Sequence, residues 1–113
     1  MKIHKLTEAD VIKYSLQSAV KGMYHLPWVA RHKGEIVFLE HGESDTQEVM
    51  IDKKFYYFLY WNYHLGYTGM QVIDRVTGEE VANCFIDDYI PEEFWDWNRE
   101  DKLEFLRPSA FNN

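Results

Sequence analysis

The run Phe55 to Leu65, FYYFLYWNYHL, limits the possible folds of this chain more than any other stretch. Nearly every position favours a strand, and both alternating sets are aromatic. Phe55, Tyr57, Leu59, Trp61 and Tyr63 fall on one face, while Tyr56, Phe58, Tyr60, Asn62 and His64 fall on the other. A sheet with a solvated back has no use for a second aromatic face. The strand is therefore expected to be covered twice, by the C-terminal segment, another subunit, a ligand or a partner.

The flanking residues supply the rest of a sheet. Trp28 to Arg31 and Glu35 to Glu40 read as a hairpin turning at Gly34, and Met70 to Val76 with Glu80 to Ile86 as a second one turning at Gly78. Odd-sum pairing of the second hairpin would put Met70, Val72, Val76, Val81 and Phe85 on the helix-facing side. The polar stretch His41 to Glu48 reads as a mobile loop. Before the sheet, Thr7 and Asp10 form a capping box, with a Leu6–Val11 staple, for a helix from about Glu8 to Lys21 that Gly22 would end. Ile12, Leu16, Ala19, Val20 and Met23 are its expected apolar face. After the sheet, Pro91 opens a short helical turn through Trp97, and Asn98 with Asp101 caps a helix expected to stop before Pro108 and leave frayed closing residues, SAFNN. The expected architecture is α+β in one domain, residues 1–113: an N-terminal helix packed on a four- to five-stranded antiparallel meander sheet, with a short acidic helical C-terminus.

Charge is concentrated in one place. Asp87 to Glu104 carries eight carboxylates against Arg99 and Lys102, which is −6 of the chain's formal −7. Large rings embedded in carboxylates suit a surface that meets a basic protein, because rings supply contact area and charges steer the encounter. The partner-binding residues expected on this ground are Asp87, Asp88, Tyr89, Glu92, Glu93, Asp96, Trp97 and Glu100. No basic stripe is present for direct nucleic-acid binding, and no apolar run approaches the roughly 20 residues that span a membrane. The lone Cys84 cannot form an internal disulfide, and the N-terminal residues lack an apolar signal core; both point to a cytoplasmic location.

No motif for a cofactor or metal is present, and none is expected to be needed. Cys84 and His64 lack an orienting group and an oxyanion site, and His32, His41, Glu35 and Glu40 lack ligand spacing. The expected function is a non-enzymatic protein-binding module: a small acidic inhibitor, of immunity or anti-defence type, occupying a basic surface of a partner protein such as a nucleic-acid enzyme. The alternative is a small-molecule-binding or enzymatic cone, cystatin-like or nuclear-transport-factor-like in shape, lined by Trp28, Tyr57, Trp61, Tyr63 and Met70. A third is a subunit that pairs as a homodimer through Tyr56, Phe58 and Tyr60.

Overall fold

The computed structural model describes residues 3–19, 26–40, 44–88 and 90–111. In chain order these form β1 (Ile3–Lys5), α1 (Glu8–Ser18), β2 (Trp28–His32), β3 (Glu35–Leu39), β4 (Ser44–Ile51), β5 (Phe55–Asn62), β6 (Tyr67–Asp74), β7 (Glu80–Phe85), a 3-10 helix (Glu92–Asp96) and α2 (Arg99–Phe111). The fold is α+β. Strands β4 to β7 make an antiparallel meander, whereas β1, β3 and β2 pair in that order as a separate small sheet.

The aromatic strand β5 lies inside the meander, and the chain itself covers both of its faces. Tyr57 and Leu59 pack with Met50, Met70 and Val72 beneath Ile86, Phe94, Leu103 and Leu106 of the C-terminal segment. Tyr56 and Phe58 pack with Val49 and Ile73 beneath Val11 of α1 and Val29 and Phe38 of the small sheet. The two apolar interiors lie back to back, separated by one sheet. Burial of this kind contributes roughly 25 cal/mol per Å² of apolar surface removed from water.

Local side-chain chemistry sets the starts of both α-helices as expected. The Thr7 hydroxyl accepts from the Asp10 N–H at 3.2 Å and donates to its carboxylate at 2.9 Å. Asn98 Oδ1 likewise accepts from the Asp101 N–H at 2.9 Å at the start of α2. Lys33 and Gly34 both have positive φ, 51° and 85°, which gives the β2–β3 turn a twist matching its strands. Thr7→Ala is expected to cost about 1 kcal/mol, measured by urea denaturation.

Tertiary contacts override four expectations. Ile12 and Leu16 are 45% and 69% exposed, and α1 instead turns Val11, Tyr14, Ser15 and Ser18 inward. The serines face β4, the edge strand of the meander: Ser15 Oγ donates to the Val49 carbonyl, and Ser18 Oγ accepts from the Val49 N–H, each at 3.0 Å. Hydroxyls thus satisfy a strand edge that would otherwise invite pairing. Gly22, Val20 and Met23 lie outside the described residues.

The stretch expected to be a loop is strand from Ser44 onward, with Thr46 Oγ1 donating to the Pro27 carbonyl at 2.7 Å. In the β6–β7 hairpin the odd-sum register holds only at the turn, where Ile73 faces Glu80. A shift at Val81 then sets Met70 opposite Cys84 and Val72 opposite Ala82, so Val81 and Phe85 turn outward and Val76 is exposed in the turn. Finally, α2 runs through Pro108 to Phe111, because a proline late in a helix removes one hydrogen bond and does not forbid the next turn.

Candidate functional site

All eight carboxylates between Asp87 and Glu104 are exposed: Asp87, Asp88, Glu92, Glu93, Asp96, Glu100, Asp101 and Glu104. The two cations of the same segment turn the other way. Lys102 Nζ meets Glu48 Oε1 at 2.7 Å, and Arg99 Nε meets Glu48 Oε2 at 3.2 Å. Arg99 also donates to Ser15 Oγ, the Ser15 carbonyl and Ser18 Oγ, tying α1 to α2. Lys102 is 6% exposed and lies 5.6 Å from the ring centres of both Phe94 and Trp95.

A bulge makes this inward pairing possible. The β4–β5 register shifts between Thr46 and Glu48, leaving Gln47 as the extra residue. Thr46 is opposite Tyr60, but Glu48 is opposite Leu59 and Met50 opposite Tyr57. In regular pairing Thr46 and Glu48, two positions apart, would share a face; the bulge at Gln47 re-aims Glu48 at the C-terminal layer.

The acidic surface has an apolar recess. Trp97, Phe105, Asp101 and Glu104 line a shallow crevice of about 310 Å³, in which the two rings lie edge to face with centroids 5.5 Å apart. Trp97 also packs on Phe94, which is fully buried. Carboxylates on the rim and rings on the floor suit a flat or linear cation.

The other expected site residues are dispersed. Tyr89 lies outside the described residues. Asp87 is exposed, yet both of its oxygens accept from the Thr68 N–H, at 2.9 and 3.0 Å, so it also closes the start of β6. Of the residues expected to line a cone, Tyr57 and Met70 are sealed beneath the C-terminal segment, while Trp28 stands over the opposite face of the sheet. Trp61 is half-buried, and Tyr63 is exposed and bonded to Asp45. Tyr56, Phe58 and Tyr60, expected as a self-association face, are buried by their own chain.

Cys84 packs against the core under α2, whereas His64 is exposed in the β5–β6 turn. His32 faces Glu35 across the first hairpin, but the described residues contain no group of three or more side chains placed to hold a metal. His41 lies outside them. Among the described residues no helix is long and apolar enough to cross a membrane.

One polar cluster went unnoticed in the sequence. Asp52 accepts from the Lys54 and Phe55 N–H groups, from the Tyr57 hydroxyl at 2.5 Å, and from Arg107 at 3.3 Å. Burial would raise its pKa, but these donors together outweigh burial and hold it below the ordinary 3.8. Burial foremost, then the Asp52 carboxylate, pushes the Tyr57 phenol up to about 12. The unfolded chain thus binds the Asp52 proton more tightly, so stability should fall as pH drops through the carboxylate range. The folded chain binds the Tyr57 proton more tightly, so stability should fall again as pH rises from the phenol's ordinary 10 towards 12. Urea titrations across pH would show a shallower acid limb for Asp52→Asn and a shallower alkaline limb for Tyr57→Phe.

Comparison with known proteins finds no family model, no curated protein and no solved structure that matches this chain.

Proposed function

We propose that the chain is a protein-binding module that occupies a basic surface of another protein, acting as a small acidic inhibitor of a nucleic-acid enzyme. One observation carries this reading: eight carboxylates face outward on one segment while its only two cations are turned inward onto Glu48. With both cations drawn onto Glu48, the exposed charge of this segment is dominated by its carboxylates, Arg99 alone staying partly exposed. Such a surface mimics the charge of a phosphate backbone and speeds encounter with a basic protein. Glu92, Glu93, Asp96 and Glu100 supply the field, and Trp97 in its crevice supplies the anchor, where a buried ring is worth on the order of 2 kcal/mol or more. The cytoplasm, where such enzymes act, is the proposed location.

The test is affinity capture from the native host's lysate at low salt, comparing wild type with the Glu93→Lys, Asp96→Lys variant. Both side chains are exposed, so the variant should keep the wild-type unfolding midpoint. A basic nucleic-acid enzyme retained by wild type, lost with the variant and released by moderate salt is the expected result. Equal retention of that partner by both proteins would refute the acidic-face reading.

A further inference from the structure

The two edges of the meander are treated differently. Along β4, the Ser15 and Ser18 hydroxyls of α1 engage the Val49 backbone. Along β7, the last strand in the sheet order, nothing among the described residues pairs with the outer side. The Ile86 N–H donates to the Thr68 carbonyl at 3.1 Å, and Gly69 to Val72 then face Phe85 to Ala82 in unbroken register. Alternation along an antiparallel pair therefore turns the Cys84 and Ala82 backbone groups towards β6, and leaves the N–H and C=O groups of Asn83 and Phe85 on the open edge. Both residues are exposed. Natural sheets commonly blunt such an edge with lysine, proline or a bulge. The strand Glu80–Phe85, EVANCF, has neither lysine nor proline, and the shift at Val81 lies at its turn end and spares Ala82 to Phe85.

Charge decides what fits this edge. The run Glu79 to Asp88, EEVANCFIDD, has two carboxylates at each end and no charge between them. A second copy paired antiparallel about Asn83 would set Glu79 of one chain opposite Asp87 of the other, acid against acid at both ends, which destabilises the pair. An extended segment with Lys or Arg at both ends, about seven positions apart, meets the opposite charge at each end whichever way it runs. Val81 and Phe85, 45% and 59% exposed, give its side chains apolar contact. Main-chain bonds to an open edge supply affinity in the recognised mode of strand addition. Given that the partner is the basic protein of the preceding section, we propose that it docks by adding such a segment to β7, its backbone bonding the outward groups of Asn83 and Phe85.

The probe is the peptide acetyl-KKVTVTVTKK-amide, set against the same peptide N-methylated throughout its Val and Thr residues, which keeps every side chain and charge but cannot donate from that backbone. Amide hydrogen exchange followed by NMR on the full chain should show the Asn83 and Phe85 N–H groups slowed at least tenfold by the parent peptide and unchanged by the methylated one. Asn83→Pro removes an outward N–H and no ladder bond, at an edge position that tolerates proline, and should weaken parent-peptide binding about tenfold, with its urea midpoint checking the fold. Three results would each overturn the proposal. Equal binding of the two peptides would show that charge alone acts; unchanged exchange of both amides at about 1 mM parent peptide would show an inert edge; and slowing of the same amides when the protein alone is concentrated would assign the edge to a second copy. A basic partner captured equally by wild type and Asn83→Pro, yet lost with Glu93→Lys, Asp96→Lys, would also overturn it while leaving the acidic-face reading intact.

Discussion

Glu48→Ala should destabilise the fold by about 3–5 kcal/mol, the cost of leaving a buried charge without its partner. Lys102 is nearly sealed from water and its ammonium meets Glu48 at 2.7 Å, so loss of the carboxylate leaves it uncompensated. Arg99 loses its carboxylate as well, although the Ser15 and Ser18 oxygens still receive its other N–H groups. A domain of this size has roughly 5–15 kcal/mol of stability in total, so the variant would be partly unfolded at modest denaturant. The companion variant, Glu48→Met with Lys102→Met, removes both charges and should recover most of the loss, because apolar replacement of a buried pair is often neutral or better. Urea midpoints of the two proteins decide the matter: equal losses would show that packing, rather than charge pairing, holds α2 to the sheet.

Gly69→Ala is expected to cost about 2–3 kcal/mol, the upper part of the range for overpacking a full site. A Cβ at that position would fall 2.4 Å from Tyr60 Cζ and 2.5 Å from its hydroxyl oxygen. Tyr60 has little freedom to yield, since it is buried across the strand pair from Gly69 and its hydroxyl is engaged by Asn83. Placing Gly69→Ala in a Tyr60→Ala background should reveal strong coupling, with the second change adding much less than it costs alone. Simple additivity of the two losses would show that the ring moves aside freely.

What the sequence made legible was local. Thr7 with Asp10, Asn98 with Asp101, and Gly34 act within four residues of chain, and each is found in the role that its chemistry prescribes. The double coverage of β5 was also legible, because two aromatic faces demand it. Elsewhere, which side chains face a distant partner could not be read. Ile12 and Leu16 look like core until the β4 edge is placed against Ser15 and Ser18 instead. Two one-residue register shifts, at Gln47 and Val81, decide which side chains share a face, and neither has a local signature in the sequence. The candidate site divides in the same way. Its carboxylates could be counted, but the inward turn of Arg99 and Lys102 depends on Glu48, more than fifty positions earlier.

The Glu48 junction also imposes an order on biosynthesis. A ribosome releases β4 well before α2, so for that interval the growing chain holds a carboxylate whose cations have not yet been made. During the same interval the Tyr57 and Leu59 face of the meander lacks its lid. Completion of the native state is thus withheld until α2 emerges, and a nascent chain stalled before Arg99 would present that apolar face to chaperones and proteases.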